Sequence, residues 1–73
     1  MGIWEVPEPL PPSEHRFKYR LVYVVDGKRL VGYDNERGKG DHRHLRNAEK
    51  RYVFVDVPTL LRDFLKDVEE LES

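Results

Sequence analysis

The chain contains no cysteine. Disulfides, a thiolate zinc site, a redox thiol and a cysteine nucleophile are therefore all excluded. No apolar run approaches the roughly 20 residues needed to span a bilayer. The N-terminus, MGIWEVPEPLPPSEH, lacks the basic start and apolar stretch of a signal peptide. MGIWEV also lacks the Ser or Thr that the myristoylation pattern requires at position six. Glutamine is absent and asparagine occurs only at Asn35 and Asn47, a composition that leans towards a thermophilic source. From these absences a soluble cytoplasmic protein without a membrane partner is expected.

What is present is charge. Of the 73 residues, 38% are hydrophobic and 37% charged, so one small domain with a lean core is expected. The net charge of −1 conceals an uneven distribution. Residues 1–13 carry Glu5 and Glu8 and no base, whereas residues 14–54 carry eleven Lys and Arg against six acids, with all three histidines. Residues 55–73 carry only Arg62 and Lys66 against six acids. A basic region able to meet phosphate and an acidic end follow from this split. The plainer alternative is a basic sheet that attracts its own acidic helix.

Ile3 to Val6 reads as an edge strand. Pro7, Pro9, Pro11 and Pro12 then make a stiff, extended arm that cannot be helical and serves as a rigid connector. From Phe17 to Val25 the residues alternate, with Phe17, Tyr19, Leu21, Tyr23 and Val25 on one face. Asp26-Gly27 supplies a type I′ turn, and Lys28 to Tyr33 returns. A plain two-residue turn pairs Tyr23 with Leu30, Val22 with Val31 and Arg20 with Tyr33. Asp34 to Arg51 reads as a polar loop flanking a short strand around His42 to Leu45, and Tyr52 to Val55 as a third central strand. Val57, Leu60, Leu61, Phe64, Leu65, Val68 and Leu71 then recur at helical spacing. Asp56 is the N-cap, Pro58 sits in the first turn, and Val55 can staple onto Leu60. The expected class is α+β, a small antiparallel sheet of three to four strands with one C-terminal amphipathic helix on a face. Residues 1–13 form the edge strand and arm, 15–55 the sheet with its polar loop, and 56–72 the helix. So lean a sheet leaves an edge open, and a homodimer is the expected remedy.

Reactive side chains concentrate in YDNERGKGDHRH, Tyr33 to His44. Cleaving RNA needs a base for the 2′-hydroxyl, an acid for the leaving oxygen and cations around the phosphate. His42 and His44 suit proton transfer near neutral pH, and in an extended segment they share one face. Lys39 and Arg43 can stabilise phosphate charge, and Gly38 and Gly40 allow backbone amides to approach it. The competing reading is a tight turn with solvated charges. Asp41, His42 and His44 could form a three-ligand zinc or manganese site, but two histidines and a carboxylate within four residues are a weak signal, since a closed site needs better-spread ligands; neither metal nor another cofactor is expected. Gly38-Lys39-Gly40 lacks the spacing and the Ser or Thr of a Walker loop. Tyr19, Tyr23 and Tyr33 interleave with Lys18, Arg20 and Arg29, offering rings for stacking and cations for phosphates.

WEVPEP, then HRFKYRLVYVVDGKRLVGYDNERGKGDHRH, then YVFVDVPTLLRDFLKDVEE, resembles the TumE-type toxins of toxin–antitoxin systems over essentially the whole chain. The most specific part is YDNE-x-GKGDHRH, Tyr33 to His44, supported by FKYRL at Phe17 to Leu21. The resemblance implies a RelE-like RNA endonuclease that works without a metal, paired with a helix-turn-helix antitoxin encoded nearby. It also implies a further strand ahead of the Trp4 segment, so the chain reads as a short or N-terminally truncated member. The family's polar motif falls on Tyr33, Asp34, Asn35, Glu36, Lys39, Asp41, His42 and His44. The catalytic candidates are His42, His44, Lys39, Asp41 and Glu36. The RNA- and phosphate-binding candidates are Lys18, Arg20, Tyr33, Arg37, Gly38, Gly40 and Arg43. The alternative is a non-catalytic protein whose basic sheet face binds RNA or a protein partner, or, more modestly, a small structural homodimer.

Overall fold

The computed structural model describes residues 2–72. At its centre is the hairpin of β2 (Phe17–Val25) and β3 (Lys28–Glu36), closed by Asp26 and Gly27 with φ of 51° and 77°. Positive φ at both residues is the twist that a two-residue hairpin loop demands. Next to the turn, Val25 pairs with Lys28 and Val24 with Arg29. A β-bulge then inserts Leu30, so that Tyr23 faces Val31, Val22 faces Gly32 and Leu21 faces Tyr33. This corrects the register expected for an unbroken hairpin. One extra residue moves every later β3 side chain to the other face. Tyr33 thereby leaves the basic face and enters the core.

The sheet has five strands, not three or four. β1 (Gly2–Glu5) pairs with β2, β4 (Gly40–Leu45) with β3, and β5 (Ala48–Arg51) with β4, all antiparallel in the order β1-β2-β3-β4-β5. Most of the segment expected as a polar loop is therefore strand. Tyr52 to Val55, expected as a central strand, runs without regular structure into the helix, and β5 takes the edge position instead. β5 is exposed at all four residues, so it has no buried face and no hydrophobic alternation to betray it.

α1 (Val57–Glu72) begins where expected: Thr59 N–H donates to Asp56 Oδ1 at 2.8 Å. A hydrogen bond from the Thr59 side chain, and then that backbone bond, hold the Asp56 carboxyl below its ordinary value. Its buried stripe is narrower than the periodicity suggested. Leu60 and Phe64 are buried and Val68 and Leu71 partly so, but Leu65 is 61% exposed. Val55 is 67% exposed, so a staple to Leu60 adds little. Tyr19, Leu21, Val31, Tyr33, Leu60 and Phe64 form the core.

Two tyrosines, Tyr33 on β3 and Tyr52 just after β5, fasten the helix to the rest of the fold. Tyr33 donates its hydroxyl to Asp67 at 2.5 Å, and Tyr52 donates to Asp63 at 2.6 Å. Arg43 reaches Asp67 from β4 at 3.7 Å. Burial foremost, then the bonded carboxylates, pushes the Tyr33 and Tyr52 hydroxyls well above the ordinary tyrosine value. Tyr19 is raised likewise, by burial and by Asp41. The unfolded chain releases these protons near pH 10 while the native chain keeps them, so stability must fall as pH rises past that value. Each such tyrosine contributes a slope of about 1.4 kcal/mol per pH unit. Thermal melts from pH 8 to 12 should show Tm dropping steeply above pH 10. A flat profile would mean that the hydroxyls ionise freely in the fold.

Candidate functional site

Strand alternation divides β4 between the two faces of the sheet. Asp41 and Arg43 point towards the helix, and His42 and His44 towards the uncovered face. Cross-strand pairing builds one row on that open face: Gly2 opposite Arg20, Arg20 opposite Asp34, Asp34 opposite His42 and His42 opposite Arg51. His42 is the most engaged of these residues. Its Nε2 lies 2.5 Å from Asp34 Oδ1 and 3.3 Å from Glu49 Oε1, and its Nδ1 lies 3.3 Å from the Gly40 carbonyl. Both ring nitrogens therefore face acceptors only. Lys39, Glu49, Lys50 and Arg51 join His42 in lining a cleft of about 270 Å³. At the other end of the open face, Trp4 is 54% exposed, beside Lys18 and Arg20.

His44 shares the face but not the cleft. It lies opposite Gly32 and lines a different cavity with Arg29 and Arg46, and its Nδ1 is buried without a hydrogen-bond partner among the described residues.

On the helix side, Asp41 gathers three donors. Ser13 Oγ donates to its Oδ1, His15 Nε2 lies 2.6 Å from its Oδ2, and the Tyr19 hydroxyl donates to the same oxygen at 2.7 Å. Phe17 N–H donates to His15 Nδ1 at 3.1 Å, which assigns the ring proton to Nε2 and directs it at Asp41. His15 also stacks on Phe54 with ring centroids 3.9 Å apart. Asp41 thus ties the proline arm to the sheet. The arm is further held where Gly38 N–H donates to the Pro11 carbonyl at 2.7 Å. Pro12 lies over Gly40, where a Cβ would come within 2.9 Å of its ring. Beneath the arm is a cavity of about 440 Å³.

A family model described as Toxin TumE matches residues 1–72. The chain belongs to the TumE toxin family. It is accordingly the toxin of a toxin–antitoxin pair, which implies a cognate antitoxin as partner. No curated protein and no solved structure is matched. Among the described residues, no helix is long and apolar enough to cross a membrane.

In this TumE-family chain the fold brings His42 and Lys39 into one cleft and sets Lys18 and Arg20 exposed on the same open face. Glu36 and Arg37 lie exposed at the β3–β4 turn. Asp41 also lines the His42 cleft, but its carboxylate is occupied by Ser13, His15 and Tyr19. Tyr33 is fully buried and Arg43 pairs with the helix. Gly38 and Gly40 serve the packing of the arm, and the Gly38 amide already has its acceptor. Sequence reasoning passed over Glu49, Arg51 and His15. Glu49 and Arg51 sit in a charged run with no periodicity. His15 meets Asp41 across 26 positions, a pairing that only the strand register reveals.

Proposed function

We propose that this toxin acts by cleaving single-stranded RNA in the cleft lined by Lys39 and by residues of β4 and β5, with His42 as the proton-transferring residue. The observation that carries this reading is the setting of His42: donor-poised at both nitrogens, flanked by two carboxylates, in a cleft that also holds Lys39 and Arg51. Cleavage by the adjacent 2′-hydroxyl needs that proton removed, the 5′-oxygen protonated as it leaves, and charge on the phosphorane balanced. Glu49, 54% exposed and open to the cleft, takes the 2′ proton. His42 gives its Nε2 proton to the leaving oxygen, exchanging its contact with Asp34 for one to the RNA, while the Gly40 carbonyl at Nδ1 holds the ring in place. Lys39 and Arg51 stabilise the phosphorane charge. Trp4, Lys18 and Arg20 extend the surface with a ring for stacking and cations for phosphates.

The test is incubation of the purified chain with a short single-stranded RNA in the presence of a chelator, with analysis of the product ends. Products ending in 2′,3′-cyclic phosphate support the mechanism; intact RNA at high protein concentration opposes it. Binding without cleavage would favour the alternative, a non-catalytic protein that grips RNA on the same face, with the Asp34–His42–Glu49 contacts acting only as a cross-strand brace.

Salt dependence gives a second check. Four phosphate contacts, from Lys18, Arg20, Lys39 and Arg51, correspond to a slope near −3 in log affinity against log salt, or roughly a 50-fold loss between 50 and 200 mM. An affinity indifferent to salt would point to a protein partner as the ligand of this face.

A further inference from the structure

We propose that the cavity beneath the proline arm is a binding site for one nucleoside unit of the RNA, adjoining the phosphate that His42 faces. The inference rests on the RNA reading above and extends it to a second cavity. The connection between the two is direct. Lys39, Asp41 and Arg51 line both the His42 cleft and this larger cavity, so the two lie side by side with two cations where they meet. A phosphodiester seated on Lys39 and Arg51 has one nucleoside on each side of it. One then occupies the open face near His42, and the other enters the cavity.

The cavity suits that occupant. Its volume of about 440 Å³ falls within the range of small-molecule sites, roughly 300–1,000 Å³. Pro12, His15, Tyr52 and Phe54 line it, and the Phe54 ring is fixed by stacking on His15 at an interplanar angle of 27°. Unpaired RNA bases are recognised by stacking on such rings. The Asp41 network acquires a purpose on this reading. By fastening Ser13 and His15 to the sheet, it keeps the arm from collapsing into the cavity or swinging away from it.

The experiment is titration of the isotope-labelled full chain with adenosine and cytidine 5′-monophosphates, and separately with inorganic phosphate, followed by amide chemical shifts. Nucleotide should move Ser13, Phe54 and Val55, whereas phosphate alone should move only Lys39, Arg51 and their neighbours. Val55 lines the cavity yet is 67% exposed, so Val55→Trp can obstruct the mouth without touching the core. It should weaken nucleotide binding at least tenfold and raise KM for RNA with kcat little changed, at an unchanged melting temperature. Val55→Glu, which sets a carboxylate against the incoming phosphate, should act in the same direction. Shifts confined to the surface around Trp4 and Arg20, or nucleotide affinity unchanged in both Val55 variants, would overturn the proposal. Nucleotide binding that depends on Val55 in a protein that cleaves no RNA would support the cavity while removing the catalytic role of His42.

Discussion

Replacing His42 with alanine or glutamine is expected to lower RNA cleavage by about 10²–10⁴-fold, the usual contribution of a positioned proton-transfer group, and to relieve growth arrest on induced expression. Glutamine is the more telling substitution. Alanine leaves Asp34 and Glu49 facing each other across an emptied space, where their like charges repel and lower stability. Glutamine keeps a donor for Asp34 but has no proton to give to a leaving oxygen. His42→Gln should therefore melt near the wild type while cutting little RNA. Lys39→Ala should lower cleavage by the loss of phosphate stabilisation, and Lys28→Ala, exposed at the hairpin turn, should change nothing. His44→Ala separates the two histidines. Because His44 lies outside the cleft, its effect on cleavage should be much smaller than that of His42. A His42→Gln chain as toxic as the wild type would end the catalytic reading, and equal losses at both histidines would end the choice of this cleft.

Phe64→Ala is expected to unfold the domain or come close to it. Phe64 is 5% exposed where the helix packs on the sheet, edge-on to Tyr33 with ring centroids 6.0 Å apart. Truncating a buried phenylalanine costs about 3–5 kcal/mol. Single domains have only about 0.05–0.15 kcal/mol of stability per residue, so this loss consumes a large share of what a chain of this length possesses. If any folded protein remains, its Tm should fall by at least about 12 °C. Leu65→Ala is the internal control. It removes a leucine from the same helical turn, but one that is 61% exposed, and surface changes of this kind stay within about 0.5 kcal/mol. Similar melting of the two variants would mean that the helix does not dock on the sheet through this face.

The sequence by itself was enough for every feature whose cause lies within a few residues. Asp26-Gly27 closes the hairpin because those residues tolerate positive φ, and Asp56 starts the helix because its carboxylate meets the Thr59 amide. The α+β class follows from the change of period at that point, and His42 shares a face with His44 because strands alternate. What the tertiary structure alone decided depends on contacts between distant positions. The bulge at Leu30 costs one residue of register, and that single step carries Tyr33 from a basic surface into the core, where Asp67 waits on the helix. β5 left no trace in the pattern because both its faces are solvated, yet it brings Glu49 and Arg51 beside His42. Asp41 and His42 are neighbours in the chain and opposites in the fold. One is bound into the brace of the proline arm, and the other is left at the cleft, because adjacent residues on a strand point to opposite sides of the sheet.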